Sequence, residues 1–244
     1  QEQGAAMRKL RRAIRRGVTG KEPTDPRSVL EACIARAGGR ERLERIELLR
    51  AEATVTGGEA PGDVLATRRA TGELRVDWSE GQRVVSTVIV LSKESYDMTR
   101  ERSARLDDHD HDQRAMLYEA LSTVHVLLAT RGDDVELELA PAQQVHGEDA
   151  AVLRVHLPSG RGLLLYIRLE DSELVATRAL DAPEPILVFR SRHTTVDGVR
   201  LPRRLQLLYR NRLSVIDVQR WEINPRMRAK DQRWYFNPRA HPFY

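Results

Sequence analysis

The sequence of 244 residues predicts an α+β domain that is mostly β, with a strongly curved antiparallel sheet (a half-barrel) whose concave face is covered by helices. Three observations lead to this fold class. After Ile46, apolar and polar residues alternate at the period of a strand along much of the chain. Short turn sequences join most of these segments, so consecutive strands should pair antiparallel. One amphipathic helix, at residues 113–129, interrupts the strands and needs a sheet face on which to pack.

Residues 1–24 are predicted to form a basic helical extension ahead of the folded domain. Within a helix over residues 5–18, Met7, Leu10 and Ile14 lie on one side because they recur at spacings of three and four. Six Lys and Arg side chains surround them, a composition that suits the surface of an anionic membrane. Docking of the three apolar side chains onto the domain or onto a partner protein is the alternative.

Residues 25–224 are predicted to form the folded domain, which opens with a helix. Thr24 or Asp25 can accept hydrogen bonds from free backbone N–H groups, and Pro26 suits the first helical position. Gly38-Gly39 ends this helix, since glycine tolerates the left-handed conformation found there. Strands are then predicted at residues 49–55, 73–78 and 84–91 and, after the second helix, at 134–140, 150–157, 162–169, 173–180, 186–196, 200–210 and 213–223.

Charge is distributed unevenly along the chain. Residues 1–30 carry 8 Lys or Arg against 3 Asp or Glu, and residues 200–244, which include a basic C-terminal tail predicted at 225–244, carry 11 against 3. The part between them is acidic overall. Because a nucleic-acid-binding protein concentrates its basic residues on one folded face, we expect no nucleic-acid partner. The basic termini suit an anionic membrane surface or an envelope protein instead.

The sequence shows none of the usual signatures of an enzyme. It contains no Gly-x-Ser-x-Gly elbow, no phosphate-binding glycine loop and no His-Glu-x-x-His pair. His125 lies between two valines of the predicted helix, where we expect a structural role. One cysteine, Cys33, excludes an internal disulfide and is expected to be buried. We therefore predict no catalytic residues and no cofactor.

Two charged segments allow a second interpretation. Residues 107–112 hold two histidines and four aspartates, which suit a divalent cation, but we favour an acidic loop that caps the following helix and predict no metal site. Arg190 and Arg192 alternate with Phe189, Ser191 and His193 along one predicted strand. We interpret them as a solvated sheet face, since charge on an outer strand discourages edge pairing. A basic rim that meets anionic head groups or an acidic partner is the alternative.

Three short stretches resemble a known family. Residues 37–49 read AGGRERLERIELL, residues 94–97 read ESYD, and residues 197–202 read DGVRLP. With the order helix, strands, helix, strands, they resemble the periplasmic lipoprotein-carrier fold of LolA, LolB and outer-membrane lipoprotein-sorting relatives. Met98 departs from the pattern, because those relatives usually carry glycine after the aspartate. The resemblance implies the fold, an apolar class of ligand, and a periplasmic or envelope-associated location. No cleavable signal is visible at the polar start of this chain, and a mature protein would begin in the same way.

We therefore predict non-catalytic binding of a lipid, an acyl chain or another apolar moiety, by a carrier or sensor whose partner is a lipid or a lipidated protein. A regulatory or protein-interaction module of an envelope complex, with a fully packed core, is the alternative. A hydrolase that uses the His/Asp loop is a third possibility. The residues predicted to line the ligand site are Leu74, Val76, Trp78, Val88, Val90, Leu117, Leu121, Leu163 and Leu165.

Overall fold

The structure is a computed structural model that describes residues 14–16, 23–58, 60–130, 132, 134–157, 160–227 and 235–238. Within these residues, 14 strands form one sheet. The strands are β1 (Ile14–Arg16), β2 (Leu48–Gly57), β3 (Gly62–Arg69), β4 (Leu74–Glu80), β5 (Arg83–Val90), β6 (Ser95–Thr99), β7 (Ser103–Arg105), β8 (Glu136–Val145), β9 (Glu148–His156), β10 (Gly162–Arg168), β11 (Leu174–Ala179), β12 (Leu187–Val196), β13 (Val199–Tyr209) and β14 (Arg212–Ile223). The helices are α1 (Pro26–Arg36), α2 (Arg40–Glu44), α3 (Asp108–Leu121) and α4 (Thr123–Ala129).

The strand order is β1-β8-β9-β10-β11-β12-β13-β14-β2-β3-β4-β5-β6-β7. Two meanders, β2 to β7 and β8 to β14, are joined where β14 pairs with β2. Every pairing among the described strands is antiparallel, and the sheet stays open between the short strands β1 and β7. This arrangement confirms the predicted half-barrel, because so many twisted strands must curl rather than stay flat.

The local signals at α1 act as predicted. The carboxylate of Asp25 accepts hydrogen bonds from the backbone N–H groups of Arg27 and Ser28, each at 3.1 Å. Gly38 has a φ of +128°, and a Cβ at this position would lie 2.6 Å from the carbonyl oxygen of Gly198. Only glycine therefore lets the end of α1 approach the β12–β13 turn this closely.

The predicted single helix at residues 113–129 is wrong in two respects, because it begins earlier, at Asp108, and because it is two helices. Ser122 has an extended backbone (φ −92°, ψ 109°) and separates α3 from α4. Its hydroxyl accepts from the backbone N–H of His125 at 3.4 Å, so a serine side chain replaces a helical hydrogen bond at this point.

The N-terminal prediction needs a second correction. Residues 14–16, assigned to a helix over residues 5–18, form strand β1, in which Ile14 pairs with Val145. Pairing with the edge of β8 satisfies backbone groups that a short helix would have satisfied internally. The remainder of that helix lies outside the described residues.

The helices fill one half of the concave face. Leu30, Cys33 and Ile34 of α1 and Val124 and Leu127 of α4 belong to one buried apolar cluster with the inward side chains of β9, β10, β12 and β13. This cluster contains most of the buried apolar side chains of the described residues.

Arg190 is buried rather than part of a solvated face, which corrects the interpretation of this strand. The side chain is 4% exposed on the concave side of β12. Its Nε donates to Thr123 Oγ1 at 3.0 Å, its Nη1 donates to Thr177 Oγ1 at 2.7 Å, and its Nη2 donates to the carbonyl oxygen of Ala120. Burial lowers its pKa to about 9. Arg190 thus connects the α3–α4 junction to the sheet by hydrogen bonds. Arg192, by contrast, is exposed.

The described part of the C-terminal tail lies against the convex face. The hydroxyl of Tyr235 is 3.2 Å from Thr67 Oγ1, and Arg75 Nη1 donates to the carbonyl oxygen of Tyr235 at 3.0 Å. The guanidinium of Arg69 lies 4.5 Å from the ring centroid of Phe236, a cation–π contact. Packing on this domain therefore extends beyond residue 224.

His125 has the structural role predicted from the sequence. Its Nε2 is 2.7 Å from the carbonyl oxygen of Arg69, which requires a proton on Nε2. Its Nδ1, 2.8 Å from Ser122 Oγ, then accepts from that hydroxyl. The ring is 6% exposed. Burial, together with the positive charge of Arg68, lowers its pKa to about 3.

This histidine should make folding stability sensitive to acid. Between pH 6.5 and about 3 the unfolded chain binds a proton at His125 that the folded chain does not bind, so the free energy of unfolding falls as the pH falls. One unit of pKa difference corresponds to about 1.4 kcal/mol. We therefore expect His125 to lower the free energy of unfolding by about 2 kcal/mol between pH 7 and pH 5. Urea unfolding at the two pH values measures this difference. His125→Gln should remove this part of the pH dependence, and His156→Gln, at an exposed position, should not. Identical pH dependence in all three proteins would contradict the prediction.

Candidate functional site

The other half of the concave face is not filled. A cavity of about 590 Å³ lies between the inward side chains of β2–β5, β13 and β14 and one side of α3. Most of the surrounding side chains are apolar; Leu49, Val76, Leu117, Leu207, Val218 and Trp221 are examples. The cavity is therefore a space for an apolar molecule rather than a water-filled polar cleft.

Small side chains on two central strands explain why this space exists. Ala51 and Ala53 of β2 and Ala66 of β3 line the cavity, and Ala51 pairs directly with Ala66. The corresponding pair in the filled half is Leu153 of β9 with Leu165 of β10, both buried under the helices. Alanine fills far less of the space above the sheet than leucine, so one half is packed and the other stays open.

Six of the nine residues predicted to line the site surround the cavity. These are Leu74, Val76, Trp78, Val88, Leu117 and Leu121. Val90 packs in the cluster formed by Leu74, Val76 and Val88 and does not line the space.

Leu163 and Leu165 lie elsewhere, with 2% and 0% exposure in the filled half. Sequence reasoning missed the inward side chains of β13 and β14, such as Leu205 and Ile216. Part of the signal was present, because Leu205 and Leu207 of β13 alternate with polar residues, whereas the alternation in β14 is interrupted by a bulge between Val218 and Arg220.

A few polar groups interrupt the apolar lining. Arg114 Nη2 lies 2.7 Å from Asp97 Oδ2. Burial raises the pKa of Tyr118 to about 12. Within the described part of the chain, three buried lining atoms have no hydrogen-bond partner: Trp78 Nε1, Asp97 Oδ1 and Arg68 Nε. Buried polar atoms without a partner are uncommon in folded proteins, and these three lie beside the apolar lining.

The cavity reaches the surface at the end of the sheet where three loops meet. These loops join β2 to β3, β4 to β5 and β13 to β14. Pro61, Glu80, Arg210 and Arg212 contribute to the lining there and are exposed. The mouth is thus polar and partly basic, while the interior is apolar.

The acidic segment at residues 107–112 provides the expected cap of α3 at Asp107, but the rest of it is the first part of the helix and not a loop. Asp107 Oδ1 accepts from the backbone N–H of Asp110 at 2.8 Å. His111 turns inward, with Nδ1 2.7 Å from Ser95 Oγ. Across the described residues, no group of three His, Cys, Asp or Glu side chains is placed to hold a metal ion.

Among those same residues, no helix is long and apolar enough to cross a membrane.

Comparisons with known proteins show that the fold of this chain is similar to that of several solved structures. No protein-family model and no curated protein matches the sequence. A LolA superfamily protein from Nitrosomonas europaea has a TM-score of 0.54 at 12% identity, over 86% of this chain and 97% of its own. A domain described as an outer membrane lipoprotein-sorting protein from Vibrio parahaemolyticus has a TM-score of 0.57 at 8% identity, over 88% and 99%. A DUF1329 family protein from Desulfovibrio piger has a TM-score of 0.53 at 13% identity, over 89% and 100%.

Identities this low show a shared fold and nothing finer. The shared fold covers nearly the whole length of each compared protein. It agrees with the open antiparallel sheet and with the helices on its concave face. The chain therefore has the LolA-like fold that its sequence motifs predict.

Proposed function

We propose that the protein binds a lipid, an acyl chain or another apolar moiety in the cavity, as a non-catalytic carrier or sensor of the cell envelope. One observation carries the proposal: half of the concave face is apolar and unfilled, with a volume of about 590 Å³. Sites for small ligands measure about 300–1,000 Å³ and are lined mainly by apolar side chains. The alternative, a regulatory module with a fully packed core, does not account for this space.

The chemistry of the lining favours a flexible hydrocarbon chain. Transfer of one methylene from water into apolar surroundings contributes about 0.8 kcal/mol. An acyl chain can therefore bind well without specific polar contacts. Partners of this kind are lipids or lipidated proteins, and the names of two compared proteins, which refer to the LolA superfamily and to lipoprotein sorting, are in keeping with an envelope location.

Chain-length dependence tests the proposal. We expect mass spectrometry of organic extracts from the purified protein to detect a co-purified lipid. In displacement of a fluorescent fatty-acid analogue, each pair of added methylenes should lower Kd about tenfold until the cavity is full. Chains beyond that length should gain nothing more. Absence of an extracted lipid together with an affinity that is independent of chain length would contradict the proposal.

A further inference from the structure

Arg68 is a cation in the apolar interior of the cavity. It lies on the concave face of β3, two residues after Ala66, and it is one of the lining residues. Its cross-strand neighbours are leucines on both sides, Leu49 on β2 and Leu74 on β4. The side chains next to Arg68 on the neighbouring strands are therefore apolar and carry no charge.

The guanidinium of Arg68 has one hydrogen bond in the described structure. Its Nη1 donates to the carbonyl oxygen of Tyr118 at 2.6 Å, and its buried Nε has no acceptor among the described residues. No described carboxylate lies within ion-pair distance of it. Glu119, whose charge acts on the pKa of Arg68, instead pairs with Arg161 at 3.5 Å. Burial lowers the pKa of Arg68 to about 10, so the group is still charged at neutral pH.

The other inward arginines are satisfied differently. Arg114, also at the cavity, has the carboxylate of Asp97 at 2.7 Å. Arg190 is away from the cavity and donates from three nitrogens to protein acceptors. Of the two arginines in the interior of the cavity, Arg68 is the one without a described counter-ion, and its Nε has no acceptor among the described residues.

A buried cation is strongly unfavourable unless an anion accompanies it. An arginine fork also matches the two oxygens of a carboxylate or a phosphate. Resting on the function proposed above, we propose that the natural ligand is an acidic amphiphile whose anionic head group pairs with Arg68 inside the cavity. Arg68 lies at the end of β3 away from the mouth, so the hydrocarbon chain runs past Ala66 and Val64 towards the exposed loop at Pro61.

Matched ligands of equal chain length test the head group. The probes are hexadecanoate, hexadecyl phosphate and hexadecanol, bound to the full chain below their aggregation concentrations. We expect at least one of the two acids to bind about 10- to 100-fold more tightly than the alcohol, the usual range for a charge-assisted hydrogen bond. This advantage should persist at 0.5 M salt, because buried pairs are screened much less than exposed ones.

Variants then assign the preference to Arg68. Arg68→Met should abolish the preference for the acid, measured as the ratio of the Kd values of alcohol and acid, while Arg68→Lys should retain part of this preference. Arg83→Met removes an exposed arginine outside the cavity and should retain all of it. Equal affinity of the unaltered protein for acids and alcohol would overturn the head-group inference and leave the proposed function standing. Failure of all three probes to bind would overturn both. If Arg68→Met does not fold, a reduced preference for the acid in Arg68→Lys supports the inference, and full retention of the preference overturns it.

Discussion

Replacing Ala66 with tryptophan is expected to weaken binding of hexadecanoate about 50-fold while the protein stays folded. Ala66 faces the cavity between Ala51 and Val76, so an indole at this position would occupy space that the ligand needs. Displacing about three methylenes loses about 2.4 kcal/mol of burial, which corresponds to that change in Kd. Fluorescence displacement measures the affinity, and thermal unfolding should show equal or greater stability because a void has been filled.

The matched control lies one residue earlier on the same strand. Leu65 points to the convex face, because successive side chains of a strand alternate between the two faces. Leu65→Trp places the same indole on the opposite face of β3 and should leave the affinity unchanged. Similar losses in both variants would mean that the cavity is not where the ligand binds. No loss in Ala66→Trp would have the same meaning.

Replacing Arg190 with alanine should be the most destabilising of the proposed substitutions. The change leaves Thr123, Thr177 and the carbonyl oxygen of Ala120 without their donor in a buried site. Each such group costs about 1–3 kcal/mol, and relief of the desolvated charge offsets part of the total. We expect a net loss of about 3 kcal/mol and a fall in Tm of about 10 °C for a chain of this size.

Arg192 supplies the control for this experiment. It lies two residues further along β12 and is exposed, so Arg192→Ala removes the same charge from the same strand without touching the interior. Exposed substitutions of this kind change stability by about 0.5 kcal/mol or less. Equal Tm values for the two variants would show that Arg190 does not hold the α3–α4 junction.

Local patterns were enough to predict much of the fold. Alternation along Leu74, Val76 and Trp78 gave β4 and its inward face, and Asp25 with Pro26 gave the start of α1. These signals depend on a residue and its near neighbours, and such interactions are readable from one sequence. The break at Ser122 was missed, since the apolar spacing of a helix continues on both sides of it.

The location of the cavity could not be predicted in the same way. Leu163 and Leu205 are both inward-facing leucines of predicted strands, yet the first is covered by helices and the second lines the space. The difference arises because β14 pairs with β2, which joins segments about 160 residues apart. Arg190 was misplaced for a related reason. Its acceptors on α3, α4 and β11 are distant in sequence, and without them a charged side chain is expected at the surface.

The division of the concave face into a packed half and an open half has an evolutionary consequence. Side chains such as Leu153 and Leu165 carry the stability of the domain, and most substitutions there lower it. A side chain that borders the open space can grow into it without displacing a neighbour, so an increase in its size costs little stability. Selection for a new ligand can therefore act on β2, β3 and β14 without endangering the fold. Proteins built on this plan can diverge in the size and shape of this space while they keep the same framework.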